Sequence, residues 1–235
     1  MQDVKNKYTR SFIGPFWVTI SMGVMIFAMG PLYGAIFNQG TKGYALYLAT
    51  GIVFWSYIST CITEASEVYA NNRSFIGQSN FPILVYIHRL LFRNLILLAH
   101  NIAIPILLAI VMRVMDSSIF YLPLVIVSST LMLFPICVVT SLFCTRFRDL
   151  IPMIQNFIQL CMFLTPVFWI LGDGRHSSVY IKYNPFYYIV DSFRFCFSIP
   201  NSETHFSVIV GIGLIFLPFC IYFYVRSYRK VVYWI

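Results

Sequence analysis

The sequence predicts an all-α integral membrane protein with six transmembrane helices, and three observations predict it. First, no Asp, Glu, Lys or Arg occurs between Arg10 and Lys42, Lys42 and Glu64, Arg93 and Arg113, Asp116 and Arg146, Asp149 and Asp173, or Glu203 and Arg226. Each gap holds about 20 or more mostly apolar residues, the length an α-helix needs to cross a bilayer's hydrocarbon core. Second, hydrophobic residues make up 59% of the 235-residue chain and charged residues 10%, against roughly 25% charged in a soluble domain. So few charges cannot clothe a water-exposed surface. Third, the net charge of +8 is spread around the gaps rather than gathered into a patch suited to nucleic acid. Lys5, Lys7, Arg10, Arg73, Arg89, Arg93, Arg146, Arg148, Arg226, Arg229 and Lys230 fall at one side of the spans, and Lys42, Arg113, Arg175, Lys182 and Arg194 at the other. By the positive-inside rule this asymmetry places both termini in the cytoplasm.

The elements follow in order. Residues 1–16 mix Lys, Arg, Tyr and Phe, break at Gly14-Pro15, and read as an interfacial amphipathic segment. The apolar stretch after them is longer than a signal-peptide core and lacks a small-residue cleavage site, so it reads as an uncleaved first span over 17–37. A Gly-rich turn leads to span two, 44–65. Residues 66–89 form the largest inward loop, with Asn71-Asn72 and Asn80-Phe81-Pro82 as breakers and Asn80 placed to cap a short helix. Spans three and four cover 90–112 and 119–143. Span five, 150–171, is the least regular: it carries Pro152 and Pro166, and Gln155 and Gln159 share one face. A proline inside a helix removes a hydrogen bond, which a membrane tolerates only where protein or water satisfies the freed carbonyl. Residues 172–205 form one long outward segment, dense in aromatics, that suits the outer interface or a dip into the membrane. Asp191 and Arg194 within it are spaced to pair. Span six covers 206–225. Residues 17–235 thus form one transmembrane domain.

Catalytic and cofactor signatures are missing: no GxSxG, HExxH, CxxC or phosphate-binding GxxxxGK[ST] occurs. The six cysteines are dispersed and suit apolar packing better than metal or disulfides. His100, in mid-span beside Asn101, serves either a proton relay or an interhelical hydrogen bond. Glu64 and Glu67, at the inner end of span two, either contact a soluble partner or end a solvated helix. Of the 23 Phe, 16 Tyr and 4 Trp, many sit at span ends as an aromatic belt requires, among them Trp17, Tyr33, Tyr44, Tyr47 and Tyr222. A surplus remains at Trp169 and over 180–195. Aromatic rings with polar tips also line paths for sugar rings.

Six short motifs together resemble the permeases of bacterial polysaccharide ABC exporters, the membrane subunits for O-antigen, teichoic acid and capsule. They are Tyr8-Thr9-Arg10-Ser11-Phe12-Ile13-Gly14-Pro15-Phe16-Trp17, Gly51-Ile52-Val53-Phe54-Trp55, His100-Asn101, Phe147-Arg148-Asp149, Thr165-Pro166-Val167-Phe168-Trp169, and Asn184-Pro185 followed by Asp191 and Arg194. Each is weak alone, but the six occur in order over nearly the whole chain. The resemblance implies a homodimer of permeases in the inner membrane, joined to two ATPase subunits that bind ATP and Mg, moving a lipid-linked polysaccharide outward. This chain itself then binds no cofactor and is not an enzyme. The resemblance also implies an ATPase dock at 66–82, with Glu67, Asn71, Asn72 and Arg73. It further implies short re-entrant gating helices at 172–198, with Thr165, Pro166, Trp169, Tyr180, Tyr183, Phe186, Tyr187 and Tyr188 along channel and gate. Lys5, Lys7 and Arg10 suit the diphosphate of a lipid carrier, or anionic lipid in general. The competing readings are an ABC permease for a small lipid or drug, and an intramembrane acyl or glycosyl transferase.

Overall fold

The computed structural model describes residues 16–36, 41–76, 82–170, 179–228 and 230–234, and all regular structure in them is helical. Lys5, Lys7, Arg10 and Asn80 lie outside the described residues. Helix α1 (Phe16–Ile36) is apolar all round and turns Trp17, Val24, Phe27 and Leu32 outward, as a lipid-facing span does. Helix α2 (Thr41–Asn71) is the centre of the molecule. Leu48, Ala49, Val53, Phe54, Ile58 and Ala65 on it are fully buried, and it packs against each of the other long helices except the last, Phe206–Ser227. Its 31 residues make a rod about 46 Å long, well beyond a ~30 Å hydrocarbon core. It therefore consumes the first part of the loop expected over 66–89. Asn71 ends it, Asn72 turns, and α3 (Arg73–Ile76) follows.

Helices α4 (Leu84–Asn101) and α5 (Ala103–Met112) form one span, interrupted at Ile102 because Pro105 has no N–H to offer the Asn101 carbonyl. The span ends with Arg113 in the left-handed region at φ 56° and the Val114 N–H closing back on the Ala109 carbonyl at 3.1 Å. After a 3-10 turn (Ser117–Tyr121), α6 (Leu122–Arg146) pairs with α10 (Phe206–Ser227). The two approach so closely that a Cβ on Gly213 would stand 3.2 Å from the Met132 backbone. At the end of this pair, Arg146 lies over the rings of Phe147 and Trp234, the latter in the short α11 (Val231–Trp234). All six cysteines are buried and free.

Five helices are long and apolar enough to cross a membrane among the described residues. The span expected over 150–171 is instead a 15-residue helix, α7 (Leu150–Leu164), followed by irregular chain. The cause is local. Pro166 excludes Thr165 from the helical region, and Thr165 is extended at φ −89°, ψ 135°. Two short helices then follow, α8 (Val179–Lys182) and α9 (Pro185–Cys196). The bundle has an arginine-rich end, where α2, α6 and α10 finish, and an aromatic end, where α7 stops and α8 and α9 lie.

Candidate functional site

The break after α7 is buried: Thr165 and Val167 are inaccessible and Pro166 is buried with them. Irregular backbone in such a place exposes carbonyl oxygens that nothing in the segment itself satisfies. Here three side-chain donors serve the four successive carbonyls of residues 166–169. The Tyr47 hydroxyl donates to Trp169 O at 2.8 Å and lies 3.3 Å from Pro166 O. Arg194 Nη2 donates to Val167 O at 3.3 Å. The Tyr44 hydroxyl donates to Phe168 O. Asn184 Nδ2 reaches Thr165 Oγ1 at 2.8 Å, and that hydroxyl donates in turn to Cys161 O on the last turn of α7. The Trp169 indole N–H also turns back, to Phe163 O at 3.1 Å. The broken segment is thus cradled between the start of α2 and α9.

Local sequence explains the pieces. Tyr44, Tyr47 and Gly51 are spaced by three and four residues and share one face of α2. Gly51 leaves room for the segment: a Cβ there would stand 2.8 Å from Val167 O and 3.0 Å from Arg194 Nη2. Asn184 caps α9 by accepting the Phe186 N–H at 3.0 Å, with Pro185 at the first helical position, so one side chain both starts α9 and ties it to the break. Arg194 is 2% exposed, and its guanidinium lies 3.6 Å from the centre of the Tyr47 ring. This cation meets the Val167 carbonyl and a phenol face rather than a carboxylate.

The pairing expected between Asp191 and Arg194 does not form. Asp191 Oδ2 accepts His205 Nε2 at 3.0 Å and the Glu203 N–H at 3.1 Å, fastening α9 to the start of α10. Along one helix, position 191 points toward the turn before α10, and position 194 toward α2. Tyr44 and Tyr47, read from sequence as belt residues, face inward instead. His100 Nδ1 lies 2.7 Å from its own helix's Ile96 carbonyl; Asn101 makes the interhelical bond, accepting from Thr19 at 2.9 Å.

The other residues named from sequence divide by direction. Phe186 and Tyr187 are buried, Phe186 edge-on to Trp55 at 5.8 Å. Tyr183 is 83% exposed. The Tyr188 hydroxyl donates to Lys182 O at 2.7 Å, linking α9 to α8, on whose backbone Tyr180 lies. At the arginine-rich end, Gln155 on α7 donates to Glu67 Oε1 at 3.2 Å. Asn71 donates to Glu67 Oε2 at 3.4 Å, Asn72 to Val68 O at 2.7 Å, and Arg73 is exposed. Thr165, Pro166, Trp169 and Asn184 are therefore brought together, whereas Glu67, Asn71, Asn72 and Arg73 gather at the opposite end of the same helix α2.

This arrangement fixes backbone; it is not set up to make bonds. Ser192, beside the Asp191–His205 pair, accepts the backbone N–H of His205 at 2.9 Å and donates to Tyr188 O at 2.8 Å, so it is not aligned with the imidazole as a nucleophile. Sequence reasoning reached the break but missed Tyr44, Tyr47 and His205. The Tyr-x-x-Tyr-x-x-x-Gly stripe on α2 was the available signal for the first two.

A family model described as ABC-2 type transporter matches residues 1–198, from the N-terminus through the end of α9. Two relatives, each an O-antigen export system permease protein RfbA from Klebsiella pneumoniae, are similar to the chain. One is 25% identical over 203 residues, covering 82% of this chain and 76% of the relative. The other is 24% identical over 200 residues, with the same coverage.

Proposed function

The chain belongs to the ABC-2 type transporter family, and from that premise we propose that it is the permease of an exporter that moves a lipid-linked polysaccharide such as O-antigen across the inner membrane, driven by a separate ATPase. It is a multi-pass transport subunit. Both relatives are O-antigen export permeases, which supports the polysaccharide. The observation that carries the reading further is the shortened α7 and its cradle. A span that stops inside the membrane, with its continuation held by side chains of α2 and α9, is a jointed element that can open without unfolding a helix.

In this reading two permease copies pair and two ATPase subunits hold ATP and Mg. The arginine-rich end, with Glu67, Asn71, Asn72 and Arg73, faces the cytoplasm and the ATPase. The aromatic end, with Trp169, Tyr180, Tyr183, Phe186, Tyr187 and Tyr188, forms the outer gate, and Lys5, Lys7 and Arg10 meet the lipid carrier. The direct test reconstitutes the permease with its ATPase and follows glycan on the far leaflet by its accessibility to an added glycosidase. ATP-dependent exposure of the glycan is expected. Transport of small apolar drugs with no glycan movement would overturn the substrate class. Reporter fusions after residues 42, 116 and 190 should read outside and those after 75 and 147 inside; an inside signal at 190 removes the gate assignment.

A further inference from the structure

Glu64 and Arg93 form an ion pair between α2 and α4 across 29 residues of chain. The same carboxylate oxygen accepts the Asn94 amide at 2.9 Å. Asn94 is 2% exposed, while the Glu64 and Arg93 side chains keep about a quarter of their surface. Nearer the middle of the bundle, the Thr19–Asn101 hydrogen bond ties α1 to α4. Between these two fastenings lies a cleft of about 170 Å³, with Met22, Ser56, Thr60 and Leu97 among its walls. At this level polar contacts tie α4 to α1 and to α2, with space between the three helices.

Apolar side chains would close such a seam at less cost, because an ion pair pays for desolvation and ionisable groups are expensive near lipid. The pair's position gives it a use. Glu64 lies one turn before Glu67 and two before Asn71, at the inner end of α2. Its partners are on α4, the helix that residues 72–83 connect to α2. The contact therefore closes the base of that connection. From there α2 runs unbroken to Tyr47 and Tyr44, which hold the broken segment at the far end.

We propose that Glu64, Arg93 and Asn94 are positioning residues for transport, the joint that turns a displacement of residues 72–83 into movement of α2 and of the segment it cradles. This rests on reading residues 66–82, which include most of that connection, as the ATPase dock. With the joint closed, α2 and α4 move together into the space of the cleft. With it open, the displacement does not reach α2.

The test uses the permease reconstituted with its ATPase, and reads partner co-purification, ATP hydrolysis and glycan exported per ATP. Glu64→Gln and Arg93→Gln should leave co-purification and hydrolysis within about twofold and lower glycan per ATP about tenfold, inside the roughly 5–150-fold span of coupling between sites. The reversed pair, Glu64→Arg with Arg93→Glu, should recover most of the loss. Glu64→Asp, which keeps the charge on a shorter arm, supplies a milder variant that folds if the others do not, and should show a smaller loss in the same ratio. Glycan per ATP unchanged in all variants overturns the proposal, as does export that falls only in step with hydrolysis or inserted protein. Loss of co-purification in Glu64→Gln also overturns it, by making Glu64 part of the dock. Arg73→Glu tests the dock separately: retained co-purification there overturns the docking assignment, while the Glu64 ratio still decides whether the joint exists.

Discussion

The two ends of α2 hold their neighbours in different ways. At the aromatic end the polar contacts run from side chain to backbone: Tyr44, Tyr47 and Arg194 each satisfy a carbonyl of the segment after Thr165. At the arginine-rich end they run between side chains that, Asn94 apart, keep some access to water: Glu64 with Arg93 and Asn94, and Glu67 with Gln155 and Asn71. A buried carbonyl has no substitute partner, so losing its donor costs the full desolvation of that group. A partly exposed side-chain pair can exchange its partner for water at smaller cost. The first kind of contact preserves a shape; the second permits a change of partners.

Arg194→Ala should break the comparison if it is wrong. It removes a fully buried chain together with its charged hydrogen bond, and unfolding in detergent should show a loss of about 3–5 kcal/mol. Arg194→Lys, keeping the charge but not the fork, should lose less. A cost no larger than that of Glu64→Gln, about 1 kcal/mol, would erase the distinction between the ends. Gly51→Ala comes next: its Cβ would press on Val167 O at 2.8 Å, an overpacking worth about 1–3 kcal/mol. It should also make vesicles leak a small polar solute, read by efflux. Tyr47→Phe keeps the ring beneath Arg194 but strands the Trp169 carbonyl, for about 1–2 kcal/mol in the same unfolding measurement. Gln155→Ala should be the smallest, within about 0.5 kcal/mol, and should leave membrane insertion unchanged.

Charge spacing made five spans legible because a helix that crosses lipid must exclude charge over its whole length. The fifth gap misled in length, since an apolar run of 150–171 does not say whether the backbone stays helical; Thr165-Pro166 carried that information locally. The loop expected over 66–89 is shorter in the structure, because a helix that outlasts the bilayer carries charges such as Glu67 freely. Tyr44 and Tyr47 looked like belt residues because a tyrosine at a span end has the same composition whether it faces headgroups or a broken neighbour. Contacts such as Asp191–His205 and Glu64–Arg93 join residues on separate elements, and only the packing of the bundle brings them together. The Asp191–Arg194 expectation failed for the same reason: spacing along one helix allowed the pair, but each side chain had a partner on another element.

The short α7 has a further consequence. Its outward-turned face, with Met153, Phe157, Leu160 and Phe163, is about 22 Å tall, against a hydrocarbon thickness of ~30 Å. Lipid beside that face must thin to match it, whereas a protein surface of the same height need not. Hydrophobic mismatch therefore favours a protein neighbour for α7, and the proposed pairing of two copies should tighten as the acyl chains of the surrounding membrane lengthen.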